Sequence, residues 1–119
     1  MPSVTITSVF ANVRAAAAEI FGTAILLAAV VGSGIMGERL AGGNAAIALL
    51  ANSIATGAVL VTLIFTFAPI SGAHFNPVVT IASAIDGGFR WRTVPLYVGA
   101  QFAGAILGLV TAHAMFAFR

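Results

Sequence analysis

An all-α integral membrane protein with three transmembrane helices and one re-entrant half-helix is the fold class this sequence predicts. Three observations carry it. Of 119 residues, 61% are hydrophobic and 7% charged, whereas soluble domains run near about 25% charged and roughly 45–50% apolar. A soluble fold would lack the polar surface to cover its core. Three apolar runs are each long enough to cross about 30 Å of hydrocarbon at ~1.5 Å per residue. Between the second and third runs lies a stretch that breaks helix yet stays apolar.

The first span is expected over residues 15–36, with Glu19 its only charge. It follows Arg14 as a signal sequence would, but it runs past the ~7–15-residue apolar core of such a segment and shows no cleavage pattern. It is therefore expected to be retained. Residues 1–12 are mixed in character and need not be ordered. A polar turn follows at Gly37, Glu38, Arg39, Gly42, Gly43 and Asn44. The second span, 45–67, holds no charge; the third, 93–118, is uncharged while His113 is neutral.

The informative stretch is 68–86. Pro69, Ser71, Gly72 and Pro77 interrupt helix, while Ala68, Ile70, Ala73, Phe75, Val78 and Val79 keep it apolar. Irregular backbone at membrane depth is tolerated only where it is buried in protein or lines a wet cavity. From Pro77 to about Ile85 the pattern is helical again, long enough for about half a bilayer. Asp86, Gly87 and Gly88 end it. Asn76 suits the N-cap and Pro77 the first helical position, where a missing N–H costs nothing. The amino end of that half-helix then carries partial positive charge near the midplane, which opposes cations. The Asn76 amide can offer donors to a passing oxygen.

Composition also excludes functions. Five arginines face Glu19, Glu38 and Asp86, a net charge of +2 spread along the chain. There is no basic cluster to bind nucleic acid. The absence of cysteine removes disulfides and thiolate metal sites, and His74 and His113 have no carboxylates spaced to join them in a metal site. No nucleophile, base or cofactor constellation stands out, so an enzyme is not expected. Small residues recur at four-residue spacing, as Ala24, Ala28 and Gly32, and as Ala100, Gly104, Gly108 and Ala112. Such stripes allow close helix packing in lipid.

At this point the sequence resembles a family. Ser71-Gly72-Ala73-His74-Phe75-Asn76-Pro77-Val78-Val79-Thr80 is similar to the first asparagine-proline-alanine loop of the aquaporin and aquaglyceroporin (major intrinsic protein) family. Glu19-Ile20-Phe21-Gly22-Thr23 resembles its first-helix glutamate motif. Tyr97-Val98-Gly99-Ala100-Gln101-Phe102-Ala103-Gly104-Ala105 resembles the start of its third helix. The resemblance implies one repeat, residues 1–119, of a six-helix inverted-repeat fold that is usually tetrameric, with substrate passing between two half-helix ends. The chain supplies one such repeat; the second half-helix and the family's filter arginine have no counterpart in it. The implied function is a passive channel for water or small uncharged solutes such as glycerol, without cofactor, completed by a second repeat or a second copy. The competing expectation is a non-conducting membrane fragment or assembly subunit.

Residue by residue, the resemblance implies pore lining by Asn76, alongside its capping role, and a structural Pro77. Val78 replaces the family's usual alanine, either as a tolerated variant or as a narrowing of the constriction. Glu19 is implied to brace the loop; the alternative is an interfacial carboxylate reaching water. His74 is implied at the pore wall or vestibule, where a proton switch is conceivable, against the simpler role of a neutral histidine bonded to the loop. Thr56, twenty residues before Asn76, matches a filter position where many members place an aromatic, so a wider filter is expected. Gln101 and Tyr97 are expected to serve helix packing, with Gly104 and Gly108. Ser53, Thr62 and Thr66 can return their hydroxyls to the helix backbone.

By resemblance, the N-terminus and the re-entrant loop face the cytoplasm of a plasma membrane, by default a bacterial inner membrane. Arg14, Arg90 and Arg92 then lie inside and Arg39 and Arg119 outside, a weak positive-inside bias. That near balance permits an antiparallel homodimer pore. Such a pore would carry Val79 at both mouths, where the family's second loop has the filter arginine.

Overall fold

The computed structural model describes residues 6–117, and every regular element among them is helical. In chain order these are α1 (Ile6–Leu40), α2 (Ala45–Ser71), α3 (Pro77–Ile85), a single 3-10 turn at Trp91–Thr93, and α4 (Val94–Ala117). The two long helices α1 and α2, and the stretch Trp91–Ala117, are each long and apolar enough to cross a membrane.

Three boundaries differ from the sequence expectation. The first is the end of α1, which runs on through Gly37, Glu38 and Arg39 to Leu40, so that the turn begins only at Ala41. Helix α1 begins at Ile6, inside the segment that needed no order. No glycine or proline interrupts residues 6–21, and Ile6, Val9, Phe10 and Val13 fall at the spacing of one helical face, so the run continues outward as helix. Helix α2 passes through Pro69 and ends at Ser71. Pro69 lies in the last turn, where it removes one rung, its own bond to the Phe65 carbonyl, and leaves the closing bond from Gly72 N–H intact. The stop is set by Gly72, a left-handed C-cap at φ 85° whose N–H donates to the Ala68 carbonyl. The third span's last expected residue, Phe118, lies outside the described residues.

Helices α1 and α4 run side by side in the same direction. A Cβ at Gly104 would strike the Ile20 carbonyl, and one at Gly108 the Ala24 carbonyl. Only glycine lets the two backbones approach this closely. Farther along, Gly32 packs on Phe116, and the Arg39 guanidinium lies 3.4 Å from the Phe116 carbonyl and 5.5 Å from its ring centre. Helix α2 returns antiparallel. Asn52 Nδ2 donates to the Val30 carbonyl at 2.7 Å and to Ser33 Oγ at 3.0 Å, and Gly37 sits against the Ala48 backbone. Asn44 caps α2, its Oδ1 accepting from Ala46 and Ile47 N–H.

Four helix hydroxyls are satisfied locally. Ser53, Thr62, Thr66 and Thr111 donate to the carbonyl four residues back, at 2.7–2.9 Å. The half-helix α3 packs against α4 and leaves Val78, Val79, Ile81 and Ile85 exposed.

Candidate functional site: a braced re-entrant half-helix

The site is built around one carboxylate. Glu19 lies on α1 and is fully buried at 0% exposure, a position a charge tolerates only when paired or richly hydrogen-bonded. Its Oε2 accepts from Ser71 Oγ at 2.7 Å and from His74 N–H at 3.3 Å. Its Oε1 accepts from Phe75 N–H at 2.9 Å and from Gln101 Nε2 at 2.7 Å. Four donors from α2, the loop and α4 thus converge on one side chain of α1.

The loop needs this support. Gly72, Ala73 and Phe75 have φ of 85°, 53° and 54°. For a side-chain-bearing residue the left-handed region costs on the order of 1–3 kcal/mol. The bonds from His74 and Phe75 N–H to Glu19, together with Ala73 N–H to Ser71 Oγ at 3.1 Å, hold the backbone there. Tyr97 adds a further tie, its OH donating to the Ser71 carbonyl at 2.6 Å.

The Phe75 ring is buried against Gly22 of α1 and meets Phe67 edge-on, with centroids 6.1 Å apart. A Cβ at Gly22 would occupy the space of that ring. Gly22→Ala is therefore expected to displace Phe75 and destabilise the protein by about 1–3 kcal/mol, measured by denaturant titration of helicity in micelles. An unchanged midpoint would contradict this packing.

Beyond Phe75 the chain turns into α3. Asn76 is the N-cap, with extended backbone and Oδ1 accepting from Val78 N–H at 2.8 Å; Pro77 occupies the first turn. With Oδ1 engaged, the Asn76 amide presents N–H donors on an exposed side chain. Thr80, fully buried, ties the first turn of α3 to the brace. Its Oγ1 accepts from Gln101 Nε2 at 2.9 Å and lies 2.9 Å from His74 Nδ1. The His74 ring is half-buried between Phe89 and Tyr97, at centroid distances of 4.9 and 5.1 Å.

The structure thus brings Glu19, His74 and Gln101 into one network and sets Asn76 and Pro77 beside it. Tyr97 reaches Ser71 and the His74 ring of the loop, while Gln101 joins Glu19 of α1 to Thr80 of α3. Val78, 71% exposed, and Val79 lie on the open face of α3. Thr56 is half-buried in α2, outside this network, with its Oγ1 enclosed and without a hydrogen-bond partner among the described residues. Three members of the network had no assigned role in the sequence: Thr80, Ser71 and Phe75. Thr80 carries a readable signal, a hydroxyl four residues after an N-cap asparagine in a half-helix whose only other polar side chain is Ser83. Among the described residues no three His, Cys, Asp or Glu side chains gather as a metal site would require.

A cavity of about 190 Å³ opens beside the start of α3, lined by Thr23 and Leu27 of α1, Asn76 and Pro77, and Gln101 and Ala105 of α4, among others. Thr23 is the middle residue of α1, and Ala105 lies at the middle of α4. The amino end of the half-helix therefore stands level with the centres of two membrane-spanning helices.

Comparison with known proteins agrees with this architecture. Residues 6–118 match the family profile described as major intrinsic protein. The chain is 52% identical over 103 residues to Aquaglyceroporin AqpS of Rhizobium meliloti (strain 1021), covering 87% of this chain and 44% of that protein. It is 44% identical over 92 residues to Probable aquaporin NIP7-1 of Arabidopsis thaliana, covering 77% and 32% respectively. With Aquaglyceroporin-3 of Trypanosoma brucei brucei it shares 34% identity over 106 residues, covering 89% and 34%. The chain spans less than half the length of these relatives. The profile match over nearly the whole chain, joined to three membrane-spanning helices and a braced half-helix, makes this chain a multi-pass membrane protein that belongs to the major intrinsic protein family.

Proposed function

We propose that this chain forms one half of a passive transmembrane channel for water and small uncharged solutes, glycerol among them. The observation that carries the proposal is the level of Asn76. Its amide donors and the free N–H groups of the α3 amino end stand beside the midpoints of α1 and α4. There they can replace hydrogen bonds that a permeating oxygen gives up on leaving water, while the helix dipole repels cations. Two of the relatives are named as aquaglyceroporins, which supports the solute class. Members of the family are channels rather than enzymes, and no covalent step is needed.

The exposed apolar face of α3, with Val78 and Val79, is where the second half of the pore packs. That half is a second repeat, in a plasma membrane, within the tetramer usual for the family. The near balance of arginines across the membrane favours a second reading, a pore formed by two oppositely inserted copies. Labelling that finds the Gly43 turn on both sides of the membrane would support it; a single orientation would rule it out.

Flux through liposomes tests the proposal. The chain, alone and fused to the second repeat of a family member, is reconstituted and osmotic shrinkage followed by stopped-flow light scattering. The fused form is expected to conduct water several-fold faster than empty vesicles, and Asn76→Asp to abolish the gain. Inserted protein that never exceeds empty vesicles would refute the channel reading. In the conducting form Thr56→Phe is expected to suppress glycerol flux more than water flux. Unchanged flux of both would remove Thr56 from the filter.

A further inference from the structure

The turn leading into α4 divides its side chains sharply. Phe89 faces inward, its ring centre 4.6 Å from that of Tyr97 and 4.9 Å from that of His74. The next three residues, Arg90, Trp91 and Arg92, are all exposed, Trp91 at 58%. The anchored Phe89 ring and the bond from Thr93 N–H to the Arg90 carbonyl at 3.0 Å fix the turn. Two arginines and an indole are thus offered to the surroundings by an ordered backbone.

Their depth follows from the helices. Ala105 lies at the middle of α4, level with the half-helix start. At ~1.5 Å per residue Trp91 stands about 21 Å from that level, whereas the hydrocarbon ends about 15 Å from its centre and the headgroups reach to about 20–22 Å. The turn therefore lies among the lipid phosphates. Arg14, exposed on the parallel helix α1, stands about 14 Å from Thr23 by the same measure. An arginine at the hydrocarbon edge extends its head to the same plane.

Charge at this end is unbalanced. No acidic side chain stands in the first turn of the 3-10 turn or of α4. Of the three acidic residues in the chain, Glu19 is buried and engaged with four donors, and Glu38 lies at the opposite end beside Arg39. Asp86 alone remains to face Arg14, Arg90 and Arg92.

We propose that the Arg90-Trp91-Arg92 turn binds the headgroup of an anionic phospholipid. The guanidinium groups donate to its phosphate, a geometry arginine suits, while the Trp91 indole sits at the membrane interface beside it. A zwitterionic headgroup sets its own ammonium against the phosphate, so the excess of arginines selects the anionic lipid. The inference rests on membrane insertion and not on conduction.

Trp91 is the chain's only tryptophan, so its fluorescence reports the lipids beside this turn. The full chain is reconstituted in phosphatidylcholine vesicles in which an equal fraction of phosphatidylglycerol or of phosphatidylcholine carries acyl chains brominated near the glycerol. Quenching of Trp91 then gives the relative occupancy of the two lipids. A preference for phosphatidylglycerol of roughly threefold or more is expected from two arginines at the surface, weakening as salt is added. It should fall to near parity in Arg90→Gln/Arg92→Gln and persist in part in Arg90→Lys/Arg92→Lys. Equal quenching by both lipids in the wild type, a preference unchanged in the glutamine variant, or its complete loss in both variants would overturn the proposal. Inorganic phosphate that erased the preference at matched ionic strength would also overturn it, since the site would then be one for a soluble anion.

Discussion

Glu19→Leu is expected to release the re-entrant loop. The substitution leaves four donors facing hydrocarbon: Ser71 Oγ, His74 N–H, Phe75 N–H and one proton of Gln101 Nε2. A buried donor stripped of its acceptor costs about 1–3 kcal/mol. Relaxation recovers part of the sum, so a loss on the order of 4 kcal/mol or more is expected. The left-handed residues Ala73 and Phe75 then lose the bonds that hold them. Hydrogen exchange reads the result directly: the His74 and Phe75 amides, protected in the wild type, should exchange freely, while the middles of α1 and α2 stay protected. Glu19→Gln is the discriminating companion. Its carbonyl oxygen can keep the Phe75 and Gln101 bonds, and the Ser71 hydroxyl can reverse to accept from its amide. Only the long 3.3 Å bond from His74 N–H is then lost, and a cost near 1 kcal/mol is expected. Equal damage from both variants would mean that charge, rather than hydrogen-bond count, holds the loop.

The second large effect lies at the α1–α4 contact. Gly104 and Gly108 rest on the Ile20 and Ala24 carbonyls, leaving no room for a Cβ. The atoms in the way are backbone and cannot rotate aside. The pair Gly104→Ala/Gly108→Ala must push the helices apart, which also loosens Gln101, one turn away on the same face. Overpacking of this kind costs about 1–3 kcal/mol per site. The two sites share one interface, so the combined loss is expected at roughly 2–4 kcal/mol, not strictly additive. Denaturant titration of helicity in micelles measures it. Gly99→Ala on the open side of α4, where a Cβ meets nothing, is the control and should be neutral. Equal stability of the double variant and the control would remove close packing from the account.

How legible was this in the residues? The fold class was, because a chain with 7% charge has few alternatives and because the interruption at 68–86 stayed apolar while turning. Helix ends were less so. Pro69 reads as a break, but the physical stop is the left-handed Gly72, and only the backbone distinguishes the two. The start of α1 was obscured because residues 6–13 mix polar and apolar side chains, and their shared helical face emerges only once a helix is assumed. At the site, the type of residue announced itself while the partners did not. A lone glutamate in an apolar helix must find donors, yet nothing local names Gln101, 82 residues away in sequence. Ser71 looks like a helix breaker, and its second task, bridging Glu19 to Ala73 N–H, exists only after the loop folds back. The functional roles of Asn76, Val78, Val79 and Thr56 rest on the family and on the proposal above.

The central claim is that the amino end of α3 stands at the middle of the membrane while both ends of the segment return to one side. The chain has no cysteine, so single cysteines can be placed without a background. Spin labels at positions 43, 70, 76, 78 and 87 in lipid bilayers, read by oxygen and nickel-chelate accessibility, measure depth directly. The account predicts positions 76 and 78 nearest the bilayer centre, position 87 at one interface with 70 on the same side, and 43 at the opposite interface. Position 76 at an interface, or 70 and 87 on opposite sides, would contradict it.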